Sequence, residues 1–382
     1  MNFELTDEHR LFRETAAAFA AAEIVPHVRE WDRAEEYDPA VLHALAEVGF
    51  LGLTLPAEYG GTPCDNVGYC LVLEELGVAD SSIRGVISVN VGLVGKTIVG
   101  WGTEAQKRRF LPGLCDGTAI GCFALTEPSS GSDPASLRTT ARRDGDGWVL
   151  NGSKIFITNG IKAAVALVFA RTGEGPRGLT AFAVPTDTEG LTRHKITGKL
   201  GLRAQDTAEL SLQDVRVGDD ARLGEVGQGL AVALSALNRG RMSVAAGCVG
   251  IARGALEASL AYAGEREQFG RPIASFQLVQ EHLAEMAVDV ETSRLLTLRV
   301  ADMFDRGETV TIESTIAKFH ASEAAVRVAD RGVQIHGGYG YIDEFPVGKY
   351  LRDARVMTLY EGTSEIQKLI IGRHLTGIAA FK

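Results

Sequence analysis

The spacing of hydrophobic positions in this chain changes its period twice. From Thr6 to about Val25, apolar residues recur at helical spacing (Leu11, Phe12, Ala16, Phe19, Ala20) behind an acidic start at Asp7 and Glu8 that suits a helix N-terminus. Ala40 to Val48, Val67 to Leu76 and Glu104 to Leu114 keep that spacing, with breakers at Pro56 and Gly60-Gly61 between them. Residues 1–120 are therefore expected to form an all-helical N-terminal domain. From about Gly121 to Val217 the texture turns to short β-rich runs: Trp148 to Leu150, Lys154 to Thr158, Ala164 to Ala170 and Leu179 to Val184. Asp144-Gly145-Asp146-Gly147, Asn151-Gly152 and Asn159-Gly160 punctuate them as hairpin-type turns, so 121–228 reads as a middle antiparallel β domain. After Gly229 helical spacing returns, and Leu278, Leu283, Met286, Val290, Leu295 and Leu298 are expected to line one side of a long helix. Residues 229–382 read as a C-terminal four-helix bundle, giving an α+β multidomain chain ordered α, β, α.

Composition narrows the function classes. With 382 residues, 45% of them hydrophobic and 23% charged, the chain can bury a large core. A net charge of -10, with the 39 Lys and Arg dispersed among 49 Asp and Glu, speaks against nucleic acid as a partner. Cysteines 64, 70, 115, 122 and 248 contain no C-x-x-C pair, so neither a disulfide framework nor a thiolate metal site is indicated, and a reducing compartment fits best. No secretory leader pattern and no run long enough to span a bilayer are read, so the expectation is a cytoplasmic protein without membrane insertion.

Four stretches could carry chemistry. Ala124 to Asp133 packs hydroxyls, a glycine and backbone amides into a loop that can donate to a polar ligand or a flavin edge, or serve as a solvated turn. Gln334-Ile335-His336-Gly337-Gly338-Tyr339-Gly340-Tyr341 permits close backbone approach to a phosphate, or ends a helix, with His336 read as structural. Neither G-x-G-x-x-G nor G-x-x-x-x-G-K-[ST] occurs, which disfavours a dinucleotide Rossmann unit and a P-loop. In Leu359-Tyr360-Glu361-Gly362-Thr363-Ser364-Glu365-Ile366-Gln367, Ser364 and Gln367 read as a capping box with a helix starting near Glu365. Glu361 then sits on a glycine-relieved turn at the helix mouth, either sheltered with a raised pKa as a base for a weakly acidic carbon, or exposed and favoured by the helix dipole. Finally, Arg266 and Arg271 could pair with a diphosphate or decorate an exposed helix end, the reading kept for Arg271.

Together and in this order, these stretches resemble the acyl-CoA dehydrogenase family end to end. The loop from Ala124 to Asp133 is similar to its first signature; Gln334, Gly337, Gly338, Gly340, Tyr341, Glu344, Lys349 and Asp353 match its second, with Tyr-Glu-Gly-Thr-Ser downstream. The resemblance implies a helical domain, a β domain and a four-helix bundle, with FAD between the last two and reaching into a neighbouring subunit of at least a dimer, usually a tetramer. It implies flavin or phosphate contacts at Phe123, Leu125, Thr126, Ser132, Phe156 and Thr158. Arg266, Phe269, Gln277, Gln334 and Gly338 match positions that meet the partner's FAD, while Thr363 and Glu365 match contacts after the catalytic turn. Phe156 stands where many members carry tryptophan, and Glu365 where many carry glutamine.

The resemblance makes Glu361 the base that removes the α proton of an acyl-CoA while the β hydride passes to FAD. Its backbone N–H and the cofactor's ribityl 2′-hydroxyl would steady the developing enolate. Some relatives carry their base at a position matching Gly240, which has no carboxylate here. Asn238, Arg241, Gly362, Arg373 and Ser132 match substrate or CoA contacts, and Ser88-Val89-Asn90 resembles the short-chain branch, pointing to a short or branched acyl group as in fatty acid β-oxidation. Electron-transferring flavoprotein is the implied acceptor. Three other readings stand beside this one: a dehydrogenase of carrier-bound acyl or aminoacyl groups, an oxidase, and a binding protein that has lost catalysis.

Overall fold

The computed structural model describes residues 4–380; residues 1–3 of the expected first domain and 381–382 of the last lie outside them. Helix α1 (Asp7–Phe19) starts at Thr6, whose hydroxyl caps the His9 N–H while the His9 ring accepts the Thr6 N–H. It continues through a π-helical turn, Ala20–Ile24. Then come α2 (Val28–Ala34), α3 (Ala40–Glu47) and α4 (Asn66–Ala79). Next, α5 (Ser81–Ile87) runs through the π-helical Ser88–Gly95 into α6 (Lys96–Trp101), followed by α7 (Glu104–Asp116). The 81–101 run shows no amphipathic period in the sequence because it is buried on nearly every side.

That burial also corrects one expectation. Two helices, Ser81–Trp101 and Gly229–Glu265, are long and apolar enough to cross a bilayer by composition, each with a mean hydropathy of 1.3 over its best window. They are core helices: 83% and 67% of those windows lie inside the protein.

The β layer holds β1 (Gly121–Ala124), β2 (Thr140–Asp144), β3 (Gly147–Thr158), β4 (Val165–Arg171), β5 (Leu179–Pro185), β6 (Leu191–Lys195), β7 (Thr207–Gly218) and β8 (Arg222–Leu223). The order is β6-β7-β3-β2-β4-β5-β8, largely antiparallel, with β1 joining β4 in parallel. Asn151-Gly152 is not a hairpin turn. It lies within β3 at a register shift, where Gly152 takes φ +152 because a Cβ would strike Thr139 at 2.4 Å. Strand β4 is buried on both faces, which is why it reads as a continuous apolar run: Val165, Leu167 and Phe169 face the helices, Ala166, Val168 and Ala170 the opposite core.

The last part is α8 (Gly229–Glu265), the hairpin β9 (Glu267–Gln268) and β10 (Arg271–Pro272), α9 (Gln277–Asp305), α10 (Thr311–His336), α11 (Val347–Met357) and α12 (Ser364–Thr376). Arg271 thus sits on a hairpin rather than a helix end, stacked over Phe276 at 4.4 Å. Helix α9 does not bury the whole expected row: Met286 and Val290 are core, while Leu278 and Leu295 face outward at 73% and 45% exposure. Helices α4 and α8 meet backbone to backbone, since a Cβ on Gly250 would come within 2.4 Å of the Glu74 carbonyl and one on Gly77 within 3.1 Å of the Gly247 carbonyl.

Two positions of the second signature turn out to be architectural. Lys349 Nζ donates to Asp80 Oδ1 (2.7 Å) and Asp353 Oδ2 (2.5 Å), and Asp353 Oδ1 accepts the Leu202 N–H (2.7 Å), so one buried cation joins α11, the start of α5 and a loop of the β layer. Both carboxylates are essentially fully buried. Replacing Lys349 by Met strands two carboxylates in the interior, and we expect unfolding free energy measured by denaturant titration to fall by about 3–5 kcal/mol. A loss within error of zero rules this account out.

Candidate active site

The chain's least ordinary backbone lies between α11 and α12. Glu361 (φ +52) and Gly362 (φ +94) both run left-handed, the first without a glycine's freedom. Both carbonyls of the turn are held. Gln367 Nε2 donates to the oxygens of Glu361 (3.1 Å) and Gly362 (3.0 Å), and Lys318 Nζ, from α10, donates to Gly362 at 2.7 Å. The capping box expected from Ser364 is therefore displaced by one residue. Thr363 is the N-cap, its hydroxyl accepting the Ile366 N–H, and Gln367 serves the turn instead of a cap amide.

Fixed this way, the Glu361 side chain lies against α8. An ideal Cβ on Gly240 would fall 1.8 Å from Glu361 Oε2 and 3.0 Å from Leu93 of the π-helical segment. Oε2 is buried with no hydrogen-bond partner among the described residues. Desolvation lifts the carboxyl pKa to about 7, against the pull of Lys318, Arg84 and Arg241. The Glu361 carboxylate is therefore sheltered rather than exposed. Lys318 is itself fully buried, and desolvation pulls its pKa down to about 8.

The other expected substrate residues separate. Asn238 and Arg241 pair with each other (Nη1 to Oδ1, 2.9 Å) and reach Thr311 (3.2 Å) and Thr315 (3.4 Å) on α10, with Arg241 buried beside Glu361. Arg373 lies exposed near the end of α12, and Ser132 is exposed on its loop. In the short-chain tripeptide, Asn90 is architectural, since its Oδ1 accepts the Gly121 N–H at the start of β1 and its Nδ2 donates to Leu114.

Several residues suit a large planar, phosphate-bearing cofactor. Phe156 sits in a bulge of β3 between the pairs Lys154–Leu210 and Ile157–Ala208, with φ +60 and 65% of its surface exposed, so an aromatic face is pushed out of the sheet. The Ala124–Asp133 loop is tied to that bulge by the Ile155 N–H donating to Thr126 O (3.0 Å). Glu127 shapes the loop from inside, paired with fully buried Lys154 at 2.7 Å and accepting the N–H groups of Arg138 and Thr139. At the far end of α10, a Cβ on Gly337 or Gly338 would meet nothing, so this backbone is open to a cleft of about 500 Å³ that Arg266 and Tyr339 also line. Gly340 is different, for a Cβ there would strike the Val333 carbonyl at 2.6 Å. His336 is structural, stacked on Tyr262 and bonded through Nδ1 to the Gly332 carbonyl.

Comparison with known proteins agrees with this geometry. The family profile described as "Acyl-CoA dehydrogenase, N-terminal domain" matches residues 6–118, the middle-domain profile 122–215 and the C-terminal-domain profile 227–376. The chain belongs to the acyl-CoA dehydrogenase family. It is 44% identical to a probable acyl-CoA dehydrogenase of Bacillus subtilis (strain 168), covering 98% of this chain and 100% of the relative. It is 41% identical to the mitochondrial short-chain specific acyl-CoA dehydrogenase of Mus musculus, over 97% and 91%. The solved butyryl-CoA dehydrogenase of Megasphaera elsdenii superimposes with a TM-score of 0.96 at 40% identity, covering 98% of this chain and 100% of that one. The family is FAD-dependent, and the bulged Phe156, the open glycines and the hydroxyl-rich loop fit that cofactor.

Sequence reasoning did not single out Lys318, Gln367 as a clamp, or Arg84. A lysine among the helical residues of α10 carries no local mark of its burial, so only the fold brings Lys318 to the turn.

Two tests follow from this geometry. A base at Glu361 works only when ionised, so kcat/KM should rise with pH through a limb near 7. Lys318→Met should move that limb upward, because it removes a charge favouring the carboxylate, and lower kcat by about 10- to 100-fold through loss of the clamp. A limb that stays in place in the variant contradicts the assigned role. Gly240→Ala should remove most activity, since its methyl occupies the carboxylate's position; a wild-type rate refutes the stated packing.

Proposed function

We propose that the chain dehydrogenates a short or branched acyl-CoA to the trans-2-enoyl-CoA, with Glu361 as catalytic base and electrons leaving to electron-transferring flavoprotein. The observation that carries this reading is Glu361 itself: a buried, unpartnered carboxylate oxygen whose pKa lies near neutrality. When bound, FAD supplies the acceptor for the β hydride. Glu361 takes the α proton, and Lys318 and Gln367 keep it aimed by fixing the turn. Among the described residues no acceptor takes the Glu361 N–H, leaving it free to donate to a thioester carbonyl. Lys318, Arg84 and Arg241 surround the site with positive charge that steadies a developing enolate.

By the same reading, Phe123, Leu125, Thr126, Ser132, Phe156, Thr158, Thr363 and Glu365 hold FAD, and Asn238, Arg241, Gly362, Arg373 and Ser132 meet the substrate. Arg266, Phe269, Gln277, Gln334 and Gly338, all exposed on one chain, reach the cofactor of a partner subunit. Phe269 at 94% and Leu278 at 73% exposure, with Val288 at 66%, support a homo-oligomer, a tetramer in this reading. The five free thiols suit a cytoplasmic setting. A CoA ester is preferred to a carrier-bound one because the curated relatives named above are acyl-CoA enzymes.

Anaerobic absorbance titration of the holoenzyme with butyryl-CoA, isovaleryl-CoA and longer esters tests the proposal. We expect flavin bleaching with a short ester, and binding without bleaching in Glu361→Gln. If no CoA ester bleaches the flavin, the CoA assignment fails; if Glu361→Gln bleaches at the wild-type rate, the base is elsewhere.

A further inference from the structure

One buried charge near this site has no assigned partner. Arg84, on α5, is 1% exposed and heads the chain's fully buried side chains by volume. Its donors meet only neutral acceptors: Nη1 reaches Ser88 Oγ (3.2 Å), and Nη2 reaches Tyr360 Oη (3.1 Å) and Met357 Sδ (3.5 Å). Nε has no partner, and among the described residues no carboxylate forms an ion pair with the guanidinium. A guanidinium offers five N–H donors in a fork that matches a carboxylate. Burying it unpaired is expensive, and the usual remedy is a neighbouring anion. A second polar group near it is also unsatisfied among the described residues: the Tyr69 hydroxyl, on α4, is buried without a hydrogen-bond partner.

The position of Arg84 says what that anion is. Its Nε would lie 2.5 Å from a Cβ on Gly247, and the Glu361 carboxylate 1.8 Å from one on Gly240. Those glycines are two turns apart on α8, so they share a face, roughly 10 Å from each other along the axis. Tyr360 spans the interval, next to Glu361 in sequence and bonded to Arg84. Toward the N-terminus of α8 from Gly240 stands Asn238, proposed for the CoA side, and the Arg241 guanidinium is drawn back to it (Nη1 to Oδ1, 2.9 Å). An acyl chain whose α carbon meets Glu361 therefore runs the other way, toward Arg84.

We propose that Arg84 binds a carboxylate at the far end of the acyl group, making the substrate the CoA monothioester of a short dicarboxylic acid. This rests on the acyl-CoA dehydrogenase reading above and narrows it. The bonds broken are unchanged: the α proton still goes to Glu361, and the distal carboxylate takes no part beyond pairing with the guanidinium. Ser88 and the Tyr69 hydroxyl flank the bound carboxylate and supply further donors.

The test compares kcat/KM of the holoenzyme for succinyl-, glutaryl- and adipyl-CoA with that for butyryl-, valeryl- and hexanoyl-CoA. We expect one dicarboxylic ester to be preferred over its uncharged counterpart of equal length. That preference ratio should fall by about 100-fold in Arg84→Gln and recover in part in Arg84→Lys. Binding of the same pair of esters to Glu361→Gln, which needs no change at Arg84, gives an independent reading, and the dicarboxylic ester should bind more tightly. If butyryl-CoA is oxidised while every dicarboxylic ester is ignored, this proposal is overturned and the dehydrogenase reading stands. If Arg84→Gln shifts the pH limb of Glu361 but leaves the ratio unchanged, Arg84 is only a counter-charge to the base, and the proposal is again overturned. No reaction with any CoA ester overturns both.

Discussion

The chemistry of this chain depends on one strained turn. A glutamate in the left-handed region costs about 1–2 kcal/mol, and it stays there because both carbonyls of the turn are gripped from outside. Lys318 comes from α10, Gln367 from α12, and the room for the side chain from Gly240 on α8. Glu361 is thus located by three helices of the bundle at once, and a shift of any one displaces the carboxylate. Strain, clamp and close approach form a single device that aims a carboxylate into a dry space and raises its pKa.

Seven cations of the interior divide by whether a carboxylate pairs with them. Lys154 faces Glu127, Lys349 faces Asp80 and Asp353, and Arg253 and Arg294 face Glu74, with Arg253 also on Glu75. Each of these joins elements through an ion pair, and losing one partner leaves a charge stranded. Among the described residues Lys318, Arg241 and Arg84 have no such partner; they bond to a carbonyl, an amide, hydroxyls and a thioether. Among the charged groups around them, Glu361 is the single carboxylate that pulls on all three. A surplus of unpaired positive charge around one carboxylate suits a site that must accept anionic character from a substrate.

The sequence disclosed the parts of this arrangement that depend on local pattern. Amphipathic spacing marked α1, α3 and α7, and turn dipeptides marked the β2–β3 hairpin, because those elements have one wet face; α4 was read as periodic too, although its residues are buried or half-buried throughout. It did not disclose 81–101, which is buried nearly all round and so has no period to read. Asn151-Gly152 was misleading since a glycine needed for close approach inside a strand looks like one needed for a turn. Leu278 and Leu295 misled in the other direction: leucines on an outward face resemble core when only apolarity is scored. Glu361 was found through resemblance, whereas its clamp was not, because Lys318 is 43 positions away and meets the turn only in the folded chain.

Much of what makes the motifs recognisable is architecture. In the second signature, Gly340 is required by the Val333 carbonyl, and Lys349 and Asp353 lock α11 to α5 and the β layer, while of its glycines Gly337 and Gly338 are open to a ligand. Helix α8 shows the same economy. Gly250, with Gly77 across from it, lets α4 approach, Gly247 makes room for Arg84, and Gly240 makes room for Glu361. A helix that is at once the packing seam and the floor of the site cannot vary without moving both. Variation in substrate is therefore left to residues that reach the floor from elsewhere, α5 and the π-helical segment after it, where a change of side chain alters the end of the proposed acyl site and leaves Glu361 in place.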